Sequence, residues 1–266
     1  MLAASGNTPR KTGGTPIKYM DFCALIVESV YGSSQYPFNR QFGPVSVSIE
    51  PSGNFSLYRR VQPGRTVEKV IGNREGTVVV NPVEPVHLPG EVTGMLELHF
   101  TPISLEPESS CKIYLKFPVE IGVFLQGRGD GFDVLDIFSL ARPRFSLYGT
   151  PERGLITRHA DTRVYDQVPA TDPLEEGVMA LSVKNSSRSW VEVSRAVFDH
   201  RNMHLYHGEM VAMTAQMEVF SREVAETRIL ARAPAEGMQA SVRLFSAGKS
   251  FIPEIPLFLM EYGVGE

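Results

Sequence analysis

The chain has two cysteines, one tryptophan and no apolar run long enough to cross a bilayer. Cys23 and Cys111 are too few for a disulfide framework. Both sit in or beside apolar, strand-like residues and read as buried, reduced thiols packing as small hydrophobes. The longest apolar stretch, Phe22–Val27, is enclosed by Asp21 and Glu28 and falls far short of the roughly 20 residues a spanning helix needs. Arg10 and Lys11 ahead of it imitate a secretory signal. Asp21 intrudes, however, and no small-residue cleavage site follows, so the chain reads as unexported and cytoplasmic, with no direct membrane insertion. A basic excess is missing too. Residues 1–145 hold 14 basic and 14 acidic side chains, and residues 146–266 hold 12 and 16, so the net charge of −4 comes from the second half. The one basic concentration, Arg59, Arg60, Arg65, Lys69 and Arg74, is interleaved with Glu68 and Glu75, as on a solvated strand face. No nucleic-acid partner is expected.

What the chain does have is alternation. Leu96, Leu98 and Phe100 alternate with Glu97 and His99, and the same period returns in Val45-Val47-Ile49, Ile113–Ile121, Met179-Leu181-Val183 and Val191-Val193. Successive side chains of a strand point to opposite faces, so this rhythm buries one face of each strand. Prolines 82, 85, 89, 102, 107 and 118 cluster at strand borders, where a missing ladder donor does no harm. Connections of this kind suit sandwiches better than a parallel α/β sheet, which needs helices between its strands. The expected fold is all-β, two β-sandwich-like domains with at most one or two short helices.

The organisation follows from the breakers. Residues 1–16 are rich in Gly, Pro, Ser and Thr and read as a flexible tail, with strands beginning at Ile17. Glu50–Asn54 and Asn185–Ser189 read as hairpin turns, and Asp199–Asn202 turns the chain again. Asp133–Leu140 carries apolar residues at helical spacing and is expected to form a short helix. Glu209–Ala231 fits a helical stripe through Met210, Met213 and Met217, but Val211, Met213, Ala215, Met217 and Val219 alternate cleanly, and we read it as strand. Arg142-Pro143 and Gly149–Pro151 place a domain border near 141–150, with one domain over 17–145 and a second over 146–266.

Four constellations are candidates for chemistry. His200, His204 and His207 would share a face on a helix and could hold a metal; a strand separates them, and we expect no metal and no cofactor. Asp130, Asp133 and Asp136 follow a glycine turn that spells Arg128-Gly129-Asp130. Their every-third spacing fits no calcium loop, and the glycines fit no dinucleotide loop. Asp133 is expected to cap the short helix. The densest polar stretch runs from Tyr148 through Glu152 and Arg153 to Arg158, His159 and Asp161, and reads either as a structural connection between the domains or as a ligand or partner contact at their junction. With Val191, Val193 and Val197 facing the core, Trp190 and Phe198 face away from it and become candidates for a covered or contact face. No serine sits in a G-x-S-x-G elbow.

Three blocks, Pro82–Pro89 (PVEPVHLP), Phe117–Val123 (FPVEIGV) and Leu147–Gly154 (LYGTPERG), together resemble an uncharacterised archaeal family classed only as a domain of unknown function. The resemblance runs from about Tyr31 to the C-terminus. It implies a methanogen-type cytoplasmic protein and, through relatives encoded beside small mechanosensitive channels, a membrane-channel partner. It carries over no catalytic residue. The reading is a non-catalytic binding or assembly module with a protein partner or self-association; the alternative is a hydrolase or metal-dependent enzyme with a site near the domain junction.

Overall fold

The computed structural model describes residues 30–87, 93–127, 129, 131–249 and 251. The tail 1–16, the strands expected from Ile17, the run Phe22–Val27 with Cys23, and Arg128 and Asp130 lie outside the described residues. The first strands are β1 (Gly32–Gln35), β2 (Phe38–Phe42), β3 (Val45–Ser52), β4 (Phe55–Gln62), β5 (Arg65–Ile71) and β6 (Thr77–Val83). Then come β7 (Met95–Leu105), β8 (Ser110–Pro118), β9 (Glu120–Gln126), β10 (Phe132–Phe138), β11 (Phe145–Tyr148) and β12 (Leu155–Asp161). The last are β13 (Glu176–Asn185), β14 (Val191–Asp199), β15 (Tyr206–His207), β16 (Val211–Val219), β17 (Ala225–Leu230) and β18 (Gln239–Ala240). Helix is confined, among the described residues, to single 3-10 turns at His200–Asn202 and Leu244–Ser246.

Four sheets build two sandwich-like lobes. The first lobe pairs β1-β6-β9-β10 with the meander β2-β3-β4-β5; the second pairs β11-β12-β7-β14 with β18-β15-β16-β13-β8, β17 adding to β16. The alternation does what it should. Val45, Val47 and Ile49 of β3 and Leu96, Leu98 and Phe100 of β7 are buried. Gly53, at φ +64°, closes the β3–β4 hairpin with Asn54, setting Ser52 opposite Phe55. Glu209–Ala231 is strand, as read: β16 and β17 form an antiparallel hairpin whose Val211, Met213, Ala215, Met217 and Val219 are buried.

A buried ion pair staples the first lobe. Asp136 of β10 receives the Arg60 Nε–H at 2.6 Å and the Tyr58 hydroxyl at 2.7 Å from β4 in the facing sheet. Removing one partner of such a pair strands the other charge, at a cost of about 3–5 kcal/mol. Burial raises the Tyr58 pKa well above its ordinary value, and the Asp136 charge adds to this.

Three local expectations are corrected. Asp133–Leu140 is not a helix but β10. A register shift between Val134 and Asp136 adds a residue to the strand, and Val134 through Phe138 are buried without interruption. Burial on both faces erases the alternation and leaves a pattern that imitates helical spacing. Asp133 is therefore a strand residue and not a helix cap. Asn185–Ser189 does not close a hairpin, because β13 pairs with β8 and β16 while β14 pairs with β7. The link crosses between sheets, and the buried Asn185 amide holds it by donating to the Leu105, Glu106 and Ser189 carbonyls. Phe198 does not face away from the core. A second register shift, between Val193 and Arg195, turns Ala196 and Phe198 inward, and Phe198 is 2% exposed. Strand pairing also crosses the border expected near 141–150: β7 and β8 hydrogen-bond to β12, β13 and β14.

Because Phe198 is core and Trp190 is 56% exposed, the two aromatics should behave oppositely. Urea unfolding of Phe198→Ala is expected to show a loss of about 3–5 kcal/mol. Trp190→Ala should stay within about 0.5 kcal/mol of the parent. Equal losses would contradict the inward turn of β14.

Candidate functional site

The polar residues converge on one face of the sheet β11-β12-β7-β14. Strand β12 runs parallel to β7, with His159 opposite Glu97 and Asp161 opposite His99. On the other side of β7, antiparallel β14 sets Arg195 opposite His99, and on the other side of β12, β11 sets Ser146 opposite Thr157. Period-2 geometry then places Ser146, Thr157, His159, Asp161, Glu97, His99 and Arg195 on the face opposite Leu96, Leu98 and Phe100.

Glu97 is the centre of this face, 4% exposed despite its charge. Its Oε2 accepts from Ser146 Oγ at 2.6 Å and Thr157 Oγ1 at 2.9 Å, while Arg195 Nη1 lies 3.7 Å from Oε1. Burial pulls the Glu97 pKa upward. The Ser146 and Thr157 hydrogen bonds with the His159 and Arg195 charges outweigh it, and the net direction is down. Beside it, Asp161 bonds His159 Nε2 at 3.1 Å and receives Arg144 Nη2 at 2.9 Å, with His99 Nδ1 at 3.5 Å. Burial pulls the Asp161 pKa upward, but His159 and Arg144 hold it below the usual carboxylate range. An Asp–His pair orients a base, but the nearby hydroxyl, Ser146 Oγ, is committed to Glu97, and among the described residues this face shows no hydroxyl bonded to His159.

The sequence-predicted residues divide. Arg158, His159 and Asp161 all lie on β12, His159 and Asp161 on the polar face and Arg158 on the opposite one. Tyr148 joins their edge, its ring 5.9 Å from the Arg195 guanidinium carbon. Glu152 and Arg153 lie exposed on the turn between β11 and β12. That turn needs Gly154, since a Cβ there would sit 2.6 Å from the Thr150 carbonyl oxygen. Trp190 immediately precedes β14, outside the polar face, and Phe198 is in the core. Sequence reasoning missed Glu97, His99, Arg144, Ser146, Thr157 and Arg195. The alternation placed Glu97 and His99 off the core, but nothing local announces the parallel pairing across some sixty residues that covers Glu97.

The histidines are separated. His200 is buried in its 3-10 turn, His204 is partly buried, and His207 packs edge-on against Tyr31 with ring centroids 5.6 Å apart. Among the described residues, no three His, Cys, Asp or Glu side chains come together to hold a metal. Cys111 is a free, partly buried thiol whose pKa burial raises.

The family model described as "Protein of unknown function (DUF432)" matches residues 30–261, most of the chain, and the chain belongs to that family. No curated protein and no solved structure matches it. No helix among the described residues is long and apolar enough to cross a membrane.

His200 gives this region a pH dependence. Burial lowers its pKa from 6.5 to about 4. The unfolded chain therefore takes up the proton first as pH falls, and stability is intact above about pH 6.5 and declines toward pH 4. The effect is on the order of 3 kcal/mol. Urea midpoints at pH 7 and pH 4.5 should differ more for the parent than for His200→Phe. Parallel shifts in the two proteins would contradict the neutral, buried imidazole.

Proposed function

We propose that this protein is a non-catalytic binding module whose docking element is the β11–β12 hairpin, and that its occupant is an extended, acid-flanked segment of another polypeptide. One observation carries the reading. Phe145, Leu147, Tyr148, Leu155 and Ile156 are all 39–53% exposed, and they lie on this one hairpin at the end of a sheet. Leu147 faces the same side as its partner Ile156, and Tyr148 the same side as Leu155, so both faces of the edge are apolar. Isolated exposed apolar residues are ordinary; a contiguous cluster on an open edge marks an interaction site.

The backbone supports pairing. His159 N–H donates to the Arg144 carbonyl at 2.8 Å, so Arg144/His159, Ser146/Thr157 and Tyr148/Leu155 are the hydrogen-bonded pairs of the hairpin. Phe145 and Leu147 turn their N–H and C=O groups to the open edge, where an added strand would bond them. Arg142 and Arg153 flank that edge. A second copy in antiparallel register would bring like charges together, whereas acidic flanks on a partner would meet them. The archaeal and cytoplasmic setting and the membrane-channel partner that the resemblance implies belong to this same proposal, a channel's soluble segment being one polypeptide with such a strand to offer. The alternative, a hydrolase at this junction, draws its support from the Asp161–His159 pair.

The probe is a short blocked peptide of alternating valine and threonine with a glutamate at each end. By calorimetry it should bind at least tenfold more tightly than the same peptide ended by lysines. Leu147→Pro removes an outward donor while leaving the hairpin bonds in place, and should abolish binding with the far-ultraviolet spectrum unchanged. Equal binding of the two peptides, or a Leu147→Pro protein that binds as the parent does, would overturn the reading.

A further inference from the structure

Arg158 is among the most deeply buried large side chains of the molecule, 2% exposed, yet its Nε and Nη1 have no hydrogen-bond partner. A guanidinium removed from water is costly unless an anion or acceptors replace the lost hydration. Glu120 is near enough to act on it electrostatically but forms no ion pair with it. Glu120 is itself held through Oε2 by the His87 N–H at 2.9 Å. The Phe145 ring lies 5.8 Å from the Arg158 guanidinium carbon. That contact offers a π face and no oxygen.

Arg158 lines a cleft of about 170 Å³ between the end of β8, strand β12 and the link Ala141–Arg144. Not every cation there is available. Arg144 is committed to Asp161 at 2.9 Å and Lys116 to Glu176 at 3.0 Å. The uncommitted cations are Arg158 in the wall and exposed Arg142 on the rim. The cleft carries four cationic side chains, the two committed ones included, against Asp161, Glu175 and Glu176. This leaves one net positive charge, which matches a singly charged ligand better than a dianion. The volume is below the roughly 300 Å³ of a drug-sized ligand site and suits a single small group.

We infer that this cleft is a carboxylate-binding site, with Arg158 as its buried donor and Arg142 closing over the bound group. The inference stands on the cleft and its unpartnered guanidinium. It meets the proposed function at one point: Arg142 also flanks the docking edge, so the carboxylate is either a free small acid or an acidic side chain of the docked strand.

The test is a titration of the full chain followed on the Arg158 Nε–H resonance, with sodium acetate against sodium chloride at equal ionic strength. Acetate should move that resonance saturably in the millimolar range and chloride should not. Acetamide, of similar shape but uncharged, should leave it in place. Arg142→Gln should weaken acetate about tenfold on that resonance, and Arg158→Lys, followed by calorimetry instead, should show no saturable acetate binding. N-acetylglutamate α-amide distinguishes the sources. Tighter binding than acetate at the same resonance assigns the site to a side chain, and weaker binding assigns it to a free acid; both support a carboxylate site. An Arg158 resonance that ignores acetate but moves in Glu120→Gln would overturn the inference and make the guanidinium a purely internal partner of Glu120. Unchanged acetate affinity in Arg142→Gln would overturn the role of the rim. If acetate binds and the strand peptide does not, the carboxylate site stands without the docking edge.

Discussion

The arrangement of the second lobe depends on the double pairing of β7. Its residues Leu96–His99 pair in parallel with β12 on one side, and Met95–His99 and Ile103–Leu105 pair antiparallel with β14 on the other. The parallel register sets Glu97 beside His159 and His99 beside Asp161, and the antiparallel one adds Arg195. The same alternation that sinks Leu96, Leu98 and Phe100 into the core lifts the charged residues to the opposite face. A one-residue slip would reverse both faces at once, so core burial and the polar face enforce one register.

Buried charge is handled in two ways. In the first lobe Arg60 is matched by Asp136, with Tyr58 satisfying the same carboxylate oxygen, and the group is closed. In the second lobe Glu97 is matched in the same fashion by two hydroxyls and a nearby guanidinium. Arg158, one position before His159 and on the other face of β12, is left open. That contrast separates Arg158 from the paired Asp136 and Glu97: it lines a cleft with two guanidinium nitrogens unpartnered.

Much of the strand content was legible because one-sided burial writes itself as alternation, as in β3, β7 and the contested β16. Two of the failures share one cause. Where a register shift adds a residue, the period breaks. At Val134–Asp136 the broken period imitated a helix, and at Val193–Arg195 it reversed the facing of Phe198. The site was half legible. Tyr148 to Asp161 stood out as a dense polar stretch, but its centre, Glu97, reads locally as an ordinary solvent-facing strand residue. Only the pairing of β7 with β12 and the covering by Ser146 and Thr157 make it something else, and sequence period does not encode which strands meet. The five exposed apolar residues of the hairpin were equally silent, since apolar residues in a strand read as core until the strand proves to lie at an edge.

The central claim is that the outer edge of β11 is open and accepts a strand. Residue-resolved hydrogen exchange reads this directly. In the free chain, the Phe145 and Leu147 amides should exchange fast while Ser146 and Tyr148, bonded across to β12, exchange slowly. With the acid-ended peptide at saturation, Phe145 and Leu147 should slow while Ser146 and Tyr148 change little. Slow exchange at Phe145 and Leu147 in the free chain, or rates unaltered by the peptide, would contradict the account.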